Sequence, residues 1–292
     1  MTKEYTGWSF LYSPRWLGYY AMLIVFAIAC VLLANWQFDR RDQARAEIAR
    51  ITNNYDRDAV PLRELAPDGT QFDEDTMKWH PVTLSGEYIG DWVLIRNRPG
   101  SGGVGSDLAQ GFRTTDGDVL FVNRGWVAVH NDHDDAKDLP LAPTKEPATI
   151  EVRLRAAEPN VAGRTSTERT VGSFNVSELA EVADVEAAGA DAGNVYTAMF
   201  GLLIKESPEF AHGELATRPE KDEGPHFSYA LQWLVFILIA GFGIGYAARQ
   251  EFRNFNRGTY KVRAQDERRR ARKERRGPSD ADEEDAWIDG HS

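Results

Sequence analysis

Cysteine is nearly absent from this chain. Among 292 residues there is one, Cys30, and it lies inside an apolar run. Disulfides, thiolate metal sites and thiol redox chemistry are therefore excluded from the rest of the molecule, as is carriage of copper or zinc through cysteines. The familiar catalytic signatures are also missing: there is no G-x-S-x-G, no H-E-x-x-H and no P-loop. The histidines do not gather into a metal-binding set. His130 and His133 share a polar stretch with Asn131, Asp132, Asp134 and Asp135. Irregular spacing and the lack of a third ligand type make that stretch a solvated acidic loop rather than a cation site. His80 stands before Pro81 at a strand start and needs no special role.

Charge is missing from two long stretches, residues 17–36 and 227–248, although the chain as a whole carries a formal net charge of −11. At 1.5 Å per residue each run reaches about 30 Å, the thickness of a bilayer's hydrocarbon core. The sequence thus predicts a membrane α-helical hairpin of two transmembrane helices. Its segments are a cytoplasmic N-terminus (1–16), a first span (17–36), an extracytoplasmic domain (37–226), a second span (227–248) and a charged cytoplasmic tail (249–292). Lys and Arg crowd the segment after the second run, from Arg249 to Arg276, and the positive-inside rule places that end in the cytoplasm. Arg40 and Arg41, just past the first run, are a modest counter-signal. Trp16, Tyr19, Tyr20 and Tyr246 fit an aromatic belt at the inner level, and Trp36, Tyr229 and Trp233 one at the outer level. The first run is too long for a typical signal core, and no convincing small-x-small cleavage site follows it. Ala27-Ile28-Ala29-Cys30 loosely resembles a lipoprotein box, but the residues after it stay apolar. The first 15 residues are neither Arg-rich nor amphipathic, so a bacterial plasma membrane is expected ahead of the mitochondrial inner membrane.

Between the runs, residues 39–57 carry Ala44, Ile48 and Ile51 at helical spacing, which predicts an exposed continuation of the first span. From Trp79 onward the period changes to two. Short candidate strands lie at 79–85, 92–95, 119–122, 150–155 and 196–204, separated by Gly, Pro and Asp clusters. Asn175 is placed to cap a short helix running through Leu179 and Val182. Residues 100–106, 131–147, 157–172 and 206–225 read as loops. The fold class predicted for the outer domain is α+β and mostly antiparallel β, as one sheet or an open barrel. Beyond Lys261 the composition turns basic and then acidic, the signature of a disordered tail; its arginines fix topology rather than bind nucleic acid.

Gly100-Ser101-Gly102-Gly103-Val104-Gly105 satisfies G-x-G-x-x-G, but Pro99 precedes it and no helical pattern follows, so it reads as a loop between strands. His226 has a more informative position. It opens the second run, and helical spacing sets His226, Tyr229, Ala230 and Trp233 on one face at the membrane's outer level. A neutral imidazole there can donate an electron pair to haem iron, with the aromatic residues as walls. The alternative is an interfacial ring that prefers the headgroup layer. Farther along, Gly241 and Gly245 form G-x-x-x-G, which admits close approach of another helix, either the first span or a helix of a client protein.

Four motifs in order carry a family resemblance. They are Trp36-Gln37-Phe38-Asp39-Arg40-Arg41, then Arg96-Asn97-Arg98-Pro99-Gly100, then Val122-Asn123-Arg124-Gly125-Trp126, and finally His226 with Tyr229 and Trp233. Together they resemble the surfeit locus protein 1 family, the haem-handling assembly factors of cytochrome oxidase. The resemblance implies a cofactor chaperone, not an enzyme. It would accept haem a from haem a synthase and help place it in cytochrome c oxidase subunit I. In the family the histidine opening the second span is the proposed haem ligand, and His226 occupies that position. The family's Asn-Asn before it is Gly224-Pro225 here. Arg40 and Arg41 are suited to haem propionates, since guanidinium forks match carboxylates, and equally to lipid phosphates. Asn123, Arg124 and Trp126 read as a strand end, with Gly125 easing a bulge and Trp126 in the core. The rival to the chaperone is a scaffold or accessory subunit that stabilises an oxidase or supercomplex without touching haem. A tethered hydrolase ranks third, because no nucleophile–base pair is visible.

Overall fold

The computed structural model describes residues 7–128, 139–161, 163, 166–167, 169–258, 260, 263–264, 267–268 and 270–272. His130, His133 and the tail beyond residue 272 lie outside them. The chain divides into two compact units, Met1–Asp42 with Gly224–Ser292, and Gln43–Glu223.

The first unit is built on two helices. Helix α1, Pro14–Asn54, opens with a proline, which suits a first turn because that position needs no N–H donor. It runs unbroken past the apolar stretch, so the helical continuation expected after residue 39 is present. Helix α4, His226–Phe255, carries the second apolar stretch. Both are long and apolar enough to cross a membrane. Within the apolar stretches large side chains stand exposed, Ile24, Leu32, Leu238 and Phe242 among them, while the buried positions are the small Cys30, Ala34 and Ala230.

A 3-10 turn, Ser9–Tyr12, precedes α1. Phe10 packs its ring 5.5 Å from Trp16 and 5.7 Å from Phe255, and Trp8 stacks on Phe252 at 4.2 Å. Trp16 is sealed as a result. Its indole N–H, which needs a partner once buried, donates to Glu251 Oε2 at 3.0 Å. Trp16 is therefore a packing residue, and not the headgroup-facing aromatic that its place in the sequence predicts.

The second unit is a sheet that closes on itself. The chain gives β1 (Val60–Pro61), α2 (Leu62–Leu65), β2 (Pro81–Gly100), β3 (Gly103–Thr114), β4 (Val119–Val127), β5 (Pro147–Ala156), β6 (Thr170–Val171), α3 (Val176–Val182) and β7 (Met199–Ser207). Strand β2 is long enough to serve two partners. Residues 81–87 pair with β5 and residues 86–100 with β3. The path β2-β3-β4-β7-β5 returns to β2, a ring of five strands. The sheet is mixed, which corrects the mostly antiparallel expectation. An odd ring cannot alternate direction all the way round, so one pair must run parallel, and that pair is β4 with β7. The short β1 and β6 add parallel pairings to β2.

Alternation sorts the side chains into two cores. Val82, Leu84, Phe112, Leu120, Val122, Ile150, Val152 and Leu154 belong to one cluster drawn from around the ring. Ile89, Val93, Phe121 and Phe200 form a second with Val176 and Leu179 of α3, where Phe174 stacks on Phe200 at 3.8 Å. Asn175 caps α3 as the sequence predicts, its Oδ1 accepting from Glu178 N at 3.1 Å.

Candidate functional site

The polar end of the apolar stretch in α1 meets the start of α4. His226, half-buried in the first turn of α4, has Nδ1 2.9 Å from Gln37 Oε1. An amide oxygen only accepts, so Nδ1 carries a proton, and in the neutral imidazole Nε2 then holds the electron pair. This is the arrangement that turns a histidine into a metal ligand: one ring nitrogen held by a fixed acceptor, the other left as the donor pair. A Cβ at Gly224 would come within 3.3 Å of Nε2, so glycine at that position spares the donor side a close contact.

The neighbouring turn of α1 supplies cations and aromatic faces. Arg41 lies 4.8 Å from the ring centroid of Phe227, and Phe38 packs 6.5 Å from the same ring. Arg40 turns back along its own helix and lies 5.7 Å from the Trp36 ring. Of the four residues expected on one face of α4, Ala230 is fully buried, His226 and Trp233 are half-buried, and Tyr229 is 48% exposed. Trp233 meets Phe236 edge to face at 5.7 Å. His226 thus meets Gln37 while Arg41 and Phe38 meet Phe227, with Tyr229 and Trp233 farther along α4. Gln37 is the site residue that sequence reasoning missed. Its signal was its place in the Trp36-Gln37 motif, which periodicity and composition do not single out. At Gly241 and Gly245 no heavy atom comes within 4 Å of where a Cβ would stand, so among the described residues that face of α4 is open.

The two motifs of the second unit build the barrel. Arg124 is fully buried and donates from Nη2 to Glu206 Oε1 at 2.7 Å and to Ala211 O at 3.0 Å. Its Nη1 reaches Pro140 O at 2.9 Å and Gln110 Oε1 at 3.2 Å. Tyr88 completes the set, its hydroxyl donating to Glu206 Oε2 at 2.7 Å and its ring lying 4.8 Å from the guanidinium. Burial pushes the Tyr88 phenol well above its usual range, so it stays a donor. A bulge in β4 lets the chain do this: Asp107 and Ala109 of β3 face Trp126 and Asn123, and Gly125 takes φ +107° at the extra residue. Asn123 Oδ1 accepts from Gly125 N at 2.9 Å and steadies the bulge.

Trp126 is half-buried rather than a core residue, and it lies on glycine. A Cβ at Gly100 or Gly105 would come within 2.7 Å of its ring atoms, and the indole N–H donates to Arg98 O at 3.0 Å. Gly100 and Gly103 face each other at the β2–β3 turn, so the G-x-G-x-x-G string is a hairpin end that accommodates an indole. The structural reading of Asn123, Arg124 and Gly125 fits this geometry throughout.

A family model described as the SURF1 family matches residues 24–238. An uncharacterised SURF1-like protein of Mycobacterium tuberculosis is 31% identical over 252 residues, covering 84% of this chain and 88% of that one. A SURF1-like protein of Rickettsia felis is 26% identical over 113 residues, 38% of this chain and 46% of the other.

Proposed function

Because the chain belongs to the SURF1 family, we propose that it is an assembly factor for haem–copper cytochrome c oxidase, binding haem a in passing and helping deliver it to the catalytic subunit. Family membership links the chain to oxidase assembly. The observation that carries the haem step is the His226–Gln37 pair, which leaves Nε2 as an electron-pair donor at the start of an apolar helix. The cargo would bring its iron to Nε2, its apolar macrocycle to Phe227, Tyr229 and Trp233, and its propionates to Arg40 and Arg41. A single imidazole among partly exposed aromatic side chains gives binding that can be undone, which a carrier requires. No bond of the cargo is made or broken, so the role is not enzymatic.

In this reading α1 and α4 cross a bacterial plasma membrane as a hairpin, both termini are cytoplasmic, and the barrel lies outside. Haem a synthase and oxidase subunit I are the partners. The second reading, a scaffold that never holds haem, draws on the open face at Gly241 and Gly245, where the helix of a client membrane protein would fit closely.

The test is complementation. Cells that lack the chromosomal copy and make haem a receive wild type, His226→Ala or Gly241→Leu, and haem a in purified oxidase is measured. The haem reading expects His226→Ala to leave oxidase short of haem a. Full rescue by His226→Ala with failure of Gly241→Leu would replace it by the scaffold.

A further inference from the structure

A cavity of about 550 Å³ opens in the second unit, between the β2–β3 hairpin and the segment after β7. That volume is within the range of small-molecule sites. Two indoles wall it. Trp126 rests on its glycine bed and turns its remaining surface to the cavity. Trp79 is buried and held at φ +68°, a conformation that costs a bulky residue energy and persists only when the surroundings enforce it. Its indole N–H is anchored on Glu47 Oε1 at 2.7 Å.

Over the Trp79 ring lies Arg155, its guanidinium 4.2 Å from the ring centroid. Arg155 is half-buried, yet among the described residues its guanidinium makes no hydrogen bond and no ion pair. The acidic groups around it are already engaged. Glu158 pairs with Arg98 and accepts from Phe174 N. Glu47 and Glu74 accept from Lys78 at 2.9 and 3.0 Å. Asp107, at the cavity wall, lies 3.6 Å from Arg98, and Glu214 is bonded to Ser101. Burial opposes the charge on Arg155, and the carboxylates of Glu47, Glu158 and Glu74 offset that loss only in part. Burial also raises the Asp107 carboxyl, against the pull of Arg98.

We propose that this cavity binds a small, flat carboxylate, its acid group paired with the Arg155 guanidinium and its apolar body between Trp79 and Trp126. A guanidinium over an indole keeps N–H groups free to donate to two carboxylate oxygens. A single negative charge fits a wall that also holds Asp107 and Glu214; a dianion does not. The site lies within the second unit and does not involve His226.

The probe is 2-naphthoate, titrated by calorimetry into the full-length protein in detergent micelles, beside neutral 2-naphthamide. Saturable one-site binding of the acid is expected, with the amide at least tenfold weaker. Arg155→Gln is expected to weaken the acid at least tenfold, and His226→Ala to leave it unchanged. Thr217→Glu places a like charge at an exposed rim position, where folding is not at stake. It is expected to weaken the acid at least threefold and spare the amide, and it decides the matter if Arg155→Gln does not fold. No saturable binding to wild type, equal affinity for acid and amide, Thr217→Glu indistinguishable from wild type, or loss of binding in His226→Ala would each overturn the proposal. None of these results bears on whether His226 holds haem.

Discussion

Arg124 and Glu206 face each other fully buried, with side chains 0% and 1% exposed. Two charges out of water are costly, and their attraction repays the cost only when every remaining donor is used. Here both Nη atoms are doubly bonded and Tyr88 takes the second carboxylate oxygen, so among the described residues only the Arg124 Nε donor goes unused. Removing one partner strands the other. Arg124→Met is expected to destabilise the protein by about 3–5 kcal/mol, while Arg124→Met with Glu206→Leu recovers much of that loss. Urea unfolding followed by tryptophan fluorescence measures both. A single variant within about 1 kcal/mol of wild type would mean the pair is not buried as described. Asp107 offers a pH-dependent counterpart. Burial raises its carboxyl above the ordinary value of 3.8, against the pull of Arg98. The folded state therefore holds the proton more tightly than the unfolded one. Its contribution is complete below the unfolded value and is lost as pH rises through the folded value. Asp107→Asn should accordingly gain in melting temperature over wild type at pH 7 relative to pH 4. An equal difference at both pH values would contradict the assignment.

At the scale of elements, the β2–β3 hairpin and the β4 bulge form one device, with Trp126 lying on residues that have no side chain. Gly105→Ala puts a Cβ 2.4 Å from Val127 O and 2.6 Å from the Trp126 ring. Overpacking of this kind costs about 1–3 kcal/mol. Urea unfolding should show that loss together with a displaced Trp126 indole N–H resonance; an unchanged resonance would mean the ring does not rest there. The same device explains what was and was not legible. Strand β5 announces itself, because Ile150, Val152 and Leu154 alternate with charged residues. The α1 extension and the Asn175 cap were legible for the same reason, a local pattern with a local cause. Strand β3 was hidden. Residues 100–106 read as loop and 107–114 showed no alternation, since its glycines admit an indole and Gln110 is inside to serve Arg124. Strand β2 read as two pieces at Gly86, where it changes partners. The parallel β4–β7 pair follows from closure of an odd ring, which no single strand reveals.

For the whole molecule, the fold joins residues far apart in the sequence. His226 was legible from position alone, as the polar residue that opens an apolar run. Its partner Gln37 was legible only as a member of the Trp36-Gln37 motif, and nothing local tied it to His226 until the fold brought the two within 2.9 Å. Arg40 and Arg41 were legible as a cationic pair; that Arg41 alone reaches the Phe227 ring was not. The central claim is that His226 holds haem through Nε2. Its most direct test is the visible absorption spectrum of detergent-purified protein from cells that make haem a, with wild type, His226→Ala and Gln37→Leu side by side. The account predicts a haem band in wild type, its collapse in His226→Ala, and about tenfold or greater weakening of haem affinity in Gln37→Leu. A band unchanged in His226→Ala, or no band in folded wild-type protein from such cells, would contradict it.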